Sequence, residues 1–350
     1  MEEPKIIDTM NRISPNAWRN SICVVVLSAI ATGWGLYVFH GRLYKPLRLA
    51  ETEQTMLVVN KPITEVKGIK EYRPYIIGGD VAHTVIIPKK RDMFIPFDMR
   101  GISAETVLIK DMETGEVLFG NNEYTSRSLA SITKLMSALV LEERVSDWNA
   151  VVASPADTIF DSHIYAYDST SLEEWFRVAL IGSSNRAMLT LVDGSGYTRE
   201  EFVNRMNEKA FELGMTDTHF TEPTGIDSGN VSTASDVALL LREALRHEHI
   251  VASLGIHSID HRSSVTEKTT TIRNTNRLLT QWVANEFAES VIGKTGYIVE
   301  SKYNFAGKFS KSPERQVLVV VLGSENETTR FTDASTLADW AFTNYEWVAN

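Results

Sequence analysis

The chain has 350 residues, of which 43% are hydrophobic and 23% charged, so it is long enough for one large domain with accessories and a sizeable core is expected. Its net charge of -10 is uneven: residues 1–98 carry +3 and residues 99–350 carry -13. A domain that acidic is a poor partner for nucleic acid, whose phosphates need clustered cations.

Residues 1–20 read as a short polar cytoplasmic tail. From Ile22 to Phe39 the sequence is ICVVVLSAIATGWGLYVF, with no charge between Arg19 and Arg42. Eighteen residues in a helix span roughly 27 Å, close to the hydrocarbon thickness of a bilayer. The run is longer than the apolar part of a signal peptide, and no clean small-x-small cleavage site follows it, so residues 21–40 are expected to be an uncleaved transmembrane anchor. Trp34 and Tyr37 sit at its far end, where interfacial aromatics are favoured. Three basic residues precede the run (Lys5, Arg12, Arg19) and three follow it (Arg42, Lys45, Arg48), so charge alone leaves the orientation tied. Cys23 is the one cysteine; it excludes an internal disulfide and a cysteine-based metal site, and it follows bulky Ile22, unlike a lipoprotein cysteine.

Residues 41–98 mix prolines, basic residues and short β-branched runs such as HTVIIP, and read as a stalk with a few strands of its own. The compact domain is expected over 99–350. It opens on two strand-like runs around Thr114-Gly115, a hairpin signal. SLASITKLMSALVLEE has helical apolar spacing, and the segments SLEEWFRVALIG, TREEFVNRMNEKAFELGM and STASDVALLLREALRH also read as helices. The third carries a capping box from Thr198 to Glu201. AESVIGKTGY, NFAGKFS and QVLVVVLGSE then read as strands, and STLADWAFTNYEWV as a final helix. Strands at both ends with helices between predict an α+β domain whose sheet joins the N-terminal hairpin to the C-terminal strands.

Three short motifs carry chemistry. In Ser131-x-x-Lys134, helical spacing puts both side chains on one face, so the amine reaches the hydroxyl. Serine is a weak nucleophile until a base takes its proton, and lysine is such a base only when burial or a nearby cation keeps it neutral. A serine at a helix start also gains from the helix dipole when an oxyanion forms. Alone the motif is weak, since roughly one is expected by chance in a chain of this composition. Ser183-x-Asn185 follows an apolar helical run, where such residues serve as caps or turns; in a catalytic site Ser183 could relay a proton and Asn185 hold a substrate carbonyl. Lys294-Thr295-Gly296 enters a strand, where the lysine and threonine can face a substrate carboxylate and the glycine permits close backbone approach. It is not a P-loop, which needs a further glycine upstream.

S-x-x-K, S-x-N and K-T-G in that order are the set of active-site serine enzymes that handle penicillin and D-alanyl peptides. With KDMETGEVLF, HFTEPTGID, STASDVALLLREAL and RNTNRLL between them, the region from about 99 to 350 resembles the low-molecular-mass penicillin-binding proteins, specifically the serine-type D-alanyl-D-alanine carboxypeptidases. The resemblance implies a β-lactamase/transpeptidase-like α+β fold, an antiparallel sheet flanked by helices with an all-helical insertion. It implies Ser131 as acylated nucleophile, Lys134 as its base, Ser183 and Asn185 as the second motif, and Lys294, Thr295 and Gly296 as the third. The oxyanion hole would be the backbone N–H groups of Ser131 and Tyr297. The implied substrate is a peptidoglycan stem peptide, with β-lactams as inhibitors and no cofactor or metal. That substrate would place the domain outside the cytoplasmic membrane, tethered by the N-terminal anchor, because the sequence carries no counterpart of the β-rich domain and amphipathic tail that follow in many relatives.

Two positions depart from the family pattern: Ser184 where glycine is common, and Ile298 where a threonine hydroxyl often follows Gly296. A DD-endopeptidase uses the same site, and a β-lactamase shares the fold and motifs. Glu222-Pro223 invites comparison with the deacylating glutamate of class A lactamases, but Thr224-Gly225-Ile226 lacks that motif's ending, and Glu222 reads as a loop residue. A non-catalytic wall-binding or sensor protein would have little reason to keep all three motifs. His247 and His249 read as the end of a helix and His257 and His261 as strand or loop, with no third ligand evident for a metal.

Overall fold

The computed structural model describes residues 86–349, apart from 157–160, 162–163 and 288–290, together with four residue pairs between 27 and 43. The chain divides into two compact units, Met1–Gly78 and Gly79–Asn350. In the first, Leu27–Ser28 pairs with Gly35–Leu36 and Val38–Phe39 with Arg42–Leu43, each as two-residue antiparallel strands. The rest of the expected anchor lies outside the described residues, and the pairs that are described within it are strand, not helix. Among the described residues no helix is long and apolar enough to cross a membrane.

In the second unit five antiparallel strands form the sheet, in the order Ile292–Ile298, Lys302–Ser312, Arg315–Ser324, Thr106–Asp111, Val117–Asn121. The N-terminal hairpin thus adds to the C-terminal meander. Its turn is closed by Asp111, whose carboxylate accepts from Thr114 N at 2.7 Å, and by Gly115 at φ 74°. The strand Arg315–Ser324 shows why the sheet is central. Leu318, Val320 and Leu322 point into a core built with the helices, while Val317, Val319 and Val321 point into a second core with the C-terminal helix. Both faces are covered, so the strand reads as a continuous apolar run.

One face carries the helical insertion: α1 Lys134–Arg144, α2 Leu172–Ile181, α3 Asn185–Gly194, α4 Arg199–Glu212, α5 Ala234–Ala244 and α6 Glu248–Leu254. Trp175 and Phe176 of α2 are fully buried there, and truncating such a side chain to alanine costs about 3–5 kcal/mol. The Thr198–Glu201 capping box of α4 is formed as expected. The insertion is not purely helical, since Val151–Ala153 pairs with Ser169–Ser171 and Arg127–Ser128 with Val231–Ser232. The other face carries α7, Thr329–Asn344.

Three expectations change. The last helix stops at Asn344, and Tyr345–Ala349 is a strand paired with Ile86–Lys90. The alternation Tyr345, Trp347 against Glu346, Val348 suits a strand edge better than a helix face. That pairing also carries the compact domain back before residue 99, to Ile86. A helix, α3, begins at Asn185 with Ser184 as its cap, within the cap-or-turn reading of the second motif. Finally, His247 precedes a short helix, α6, and does not end the one before.

Candidate active site

Ser131 lies on a 3-10 turn, Ala130–Thr133, that runs directly into α1. The turn is held from three directions. Leu129 N donates to Asn230 O at 2.9 Å, and Asn304 Nδ2 donates to the carbonyls of Ser128 and Leu129 at 3.0 and 3.1 Å. Gly225 packs so closely that a Cβ there would sit 1.9 Å from the Ala130 carbonyl oxygen. Gly296 approaches from the sheet, with the Leu129 carbonyl 2.5 Å from where its Cβ would be. The third-motif glycine therefore admits the nucleophile's own turn, a constraint stricter than room for a substrate backbone.

Lys134 is fully buried, and its Nζ has three neighbours: Ser131 Oγ at 2.8 Å, Asn185 Oδ1 at 2.7 Å and the Thr224 carbonyl at 2.6 Å. The last two are acceptors, so a neutral amine spends both its N–H groups on them and turns its lone pair to the serine hydroxyl. Burial lowers the pKa of Lys134 to about 7, against the opposing pull of the Glu222 and Asp161 carboxylates. The amine is thus substantially unprotonated near neutrality.

The second and third motifs meet at Ser183. Its hydroxyl accepts from Lys294 Nζ at 2.7 Å, and its backbone takes φ 59° in the short turn between α2 and α3. A left-handed serine costs of order 1 kcal/mol or more and is sustained by the helices on either side. Ser184, the departure from glycine, serves a purpose here. Its side chain caps α3 by accepting from Ala187 N at 3.0 Å, and it donates to the Asp161 carboxylate. Lys294 is fully buried too, and burial followed by the nearby cations Lys134 and Arg330 pushes its pKa well below the ordinary lysine value. Thr295 Oγ1 donates to Thr275 Oγ1 at 2.7 Å, so a second hydroxyl stands beside the third motif although Ile298 lacks one.

A cleft of about 450 Å³ is lined by Ser131, Ser183, Asn185, Thr295, Gly296 and Tyr297 among others. The sequence-derived residues thus converge on one cavity, with Lys134 and Lys294 buried beneath it. Ile292–Ile298 is the edge strand of the sheet, and Tyr297, half exposed, stacks on Tyr303 at 4.3 Å between ring centroids.

Other residues around the site lie outside the three motifs. Arg330, on α7, lines the same cleft and donates to the Gly296 carbonyl at 3.3 Å. Burial lowers its pKa to about 10, so it remains a cation at neutral pH in the lining of the cleft. Glu222 is a loop residue, as expected, but an organising one. Its carboxylate accepts from Thr224 N and Oγ1 at 2.7 and 2.6 Å, from Gly225 N, and from Asn230 Nδ2 at 3.0 Å. It therefore shapes the loop that presents the Thr224 carbonyl to Lys134. A carboxylate so engaged is a structural clamp, not the free base that a lactamase-type water activation needs. His261 lies between Glu174 and Asp168, and His249 bonds Glu142. Among the described residues no group of three His, Cys, Asp or Glu side chains is placed to hold a metal ion.

A buried lysine aimed at a serine on a helix-leading turn, under the edge strand of a five-stranded sheet, defines an active-site serine acyl-transfer enzyme. Comparison with known proteins narrows the class. The sequence profile of the D-alanyl-D-alanine carboxypeptidase family matches residues 95–326. The D-alanyl-D-alanine carboxypeptidase DacF of Bacillus subtilis is 31% identical over 254 residues, 69% of this chain and 63% of that protein. A D-alanyl-D-alanine endopeptidase of Pseudomonas aeruginosa is 31% identical over 252 residues, covering 68% and 77%. Among solved structures, a D-alanyl-D-alanine carboxypeptidase from Mycobacterium tuberculosis superposes with a TM-score of 0.64 at 25% identity, covering 73% of this chain and 96% of that one. Penicillin-binding protein D2 from Listeria monocytogenes, solved with cefotaxime bound, gives 0.60 at 26%, covering 69% and 98%. The chain belongs to the D-alanyl-D-alanine carboxypeptidase family.

Proposed function

We propose that this protein is a serine DD-peptidase that trims peptidoglycan stem peptides, with D-alanyl-D-alanine carboxypeptidase as its main activity. The observation that carries the reading is Lys134, a buried amine with a pKa of about 7 whose lone pair faces Ser131 Oγ at 2.8 Å. Neutral Lys134 takes the hydroxyl proton as Ser131 attacks the penultimate D-alanyl carbonyl carbon. The oxyanion forms between the backbone N–H groups of Ser131 and Tyr297, while the Asn185 amide nitrogen donates to a substrate carbonyl. The amide C–N bond breaks as the proton held by Lys134 is relayed to the departing amine through the hydroxyl of Ser183, which Lys294 positions, and the terminal D-alanine leaves with Lys134 neutral again. Water then hydrolyses the Ser131 ester, returning the enzyme. Arg330, a buried cation in the lining of the cleft, and Thr295 are assigned to the substrate's terminal carboxylate. A β-lactam, mimicking the D-alanyl-D-alanine amide, acylates the same serine.

The same chemistry cleaves a cross-link when the departing amine belongs to a second peptide. Mass spectrometry of a pentapeptide and of a cross-linked dimer, with Ser131→Ala as control, tests the assignment. Loss of about 10³-fold or more in the variant is expected, and release that persists in Ser131→Ala contradicts it.

The cellular placement belongs to the same proposal. The apolar run Ile22–Phe39, uncharged and long enough to span a bilayer, supports a single-pass anchor with the catalytic domain on the extracytoplasmic side, where stem peptides are found. Retention of the full-length chain in membranes after alkaline carbonate extraction is the expected result; release into the supernatant counts against the anchor.

A further inference from the structure

The cleft does not stop at the residues the acyl-transfer chemistry uses. Its lining also includes Arg277, Trp282 and Glu327. Arg277 forms an ion pair with Glu327 at 2.8 Å, and its guanidinium lies 5.8 Å from the centre of the Trp282 ring. Glu327 also lies 3.7 Å from Arg330, which ties this rim to the cation assigned to the substrate carboxylate.

Trp282 is 68% exposed, an unusual position for the largest apolar side chain. Its exposure is imposed by a well-anchored turn. Asn276 is fully buried; its Oδ1 accepts from Leu278 N at 3.2 Å and its Nδ2 donates to the Val291 carbonyl at 3.0 Å. Asn285 Nδ2 donates to the carbonyls of Leu278 and Val283 at 3.1 and 3.0 Å. Leu278 and Leu279 are buried beneath, and Gln281, immediately before the tryptophan, takes φ 58°. An aromatic face held outward by a rigid, partly strained turn, beside an ion pair, has the composition of a recognition surface.

The rim's position decides what it recognises. Arg330 is assigned above to the carboxylate of the departing residue, and Glu327 lies beside it with Arg277 paired to Glu327, so the rim adjoins the leaving-group side of the site. A single departing D-alanine ends at its carboxylate and has nothing to place there. We propose that Arg277, Trp282 and Glu327 form a subsite for an extended leaving strand, namely a second stem peptide joined to the scissile carbonyl through the side-chain amine of a diamino dicarboxylic acid. In such a cross-link the carbon bearing the departing nitrogen also bears a carboxylate, which Arg330 and Thr295 hold, and a polymethylene chain then continues outward. That chain lies over the indole, and the charged peptide groups beyond it meet the Arg277–Glu327 pair, which offers both donors and acceptors. The subsite rests on the DD-peptidase reading and deepens it: the rim sets how well the enzyme takes cross-links relative to uncross-linked pentapeptides.

The test compares kcat/KM of the full-length chain for a disaccharide pentapeptide and for its cross-linked dimer, in wild type, Trp282→Ala, Trp282→Phe, Arg277→Ala and Arg277→Lys, with circular dichroism to check folding. The dimer-over-pentapeptide ratio is expected to fall at least tenfold in both alanine variants, through KM for the dimer, and Trp282→Phe is expected to recover most of it. A ratio unchanged in both alanine variants, or an equal loss on both substrates, overturns the subsite. If wild type releases D-alanine from neither substrate and Ser131 is not labelled by a fluorescent penicillin, the DD-peptidase reading itself falls, and the subsite with it.

Discussion

Two lysines lie under the cleft, both fully buried, yet their surroundings differ. Lys134 has carboxylates within electrostatic reach, Glu222 and Asp161, which offset part of the cost of burying its charge and leave its pKa at about 7. Lys294 has cations for neighbours, Lys134 and Arg330, and is pushed well below the ordinary value. Burial alone would make both lysines neutral spectators. The carboxylates near Lys134 return it to the range where a base is useful at physiological pH, since an amine near neutrality can both take a proton and give it back. Among the described residues Lys294 has its close side-chain hydrogen-bond partner in Ser183, and its proposed part is to place that hydroxyl beside the reacting atoms.

The sharpest way to break this contrast is to remove each amine. Lys134→Ala is expected to lower penicillin acylation by about 10³-fold, the scale of a lost general base. Lys294→Ala is expected to cost less in acylation and proportionately more in peptide turnover, where a leaving amine must be protonated. Equal losses in both variants on both substrates would erase the distinction.

Next in size is the support of the nucleophile's turn. Gly225→Ala places a methyl group against the Ala130 carbonyl at a position with φ 86°, so the Ser131 turn must move. A displacement of about 1 Å costs about 10²-fold in rate, and kcat/KM for a pentapeptide reads it; a near-normal value would show that the turn is less tightly held than its contacts imply. Glu222→Gln is a smaller and more pointed change. Because the Glu222 charge favours protonated Lys134, removing it shifts the acid limb of the pH–rate profile toward lower pH, by about one unit or less. A shift the other way contradicts the electrostatic role. The smallest effect lies far from either lysine. Thr198→Ala removes the capping box of α4 and should cost about 1 kcal/mol of stability in urea unfolding while sparing acylation.

Much of the site was legible because its parts are local. The i, i+3 spacing of Ser131 and Lys134 fixes their meeting, and the Thr198 box announces its helix at one glance. The assembly of the three motifs was legible only through their order, since Lys134 and Asn185 meet across 51 positions and Ser183 and Lys294 across 111. What stayed hidden is long-range and chemically ordinary. Arg330 is one arginine on an amphipathic helix until α7 packs on the sheet and turns it toward Gly296. Glu222 offered a motif comparison, but its work is done through backbone N–H groups that no spacing rule reveals. Tyr345–Ala349 looked helical because its partner strand, Ile86–Lys90, lies more than 250 residues earlier in the chain. Ser184 was ambiguous for a different reason: a serine between two apolar runs can end the first or cap the second, and the second reading prevailed here.

The central claim is that Ser131 is activated by a neutral, buried Lys134, and the pH dependence of Ser131 acylation by a fluorescent penicillin tests it most directly. The rate is predicted to rise with pH through a midpoint near the lysine's pKa of about 7, with protonated enzyme slow and deprotonated enzyme fast. A rate that is flat from about pH 5 to about pH 9, or whose midpoint stays near the ordinary lysine value of about 10.4, would contradict it.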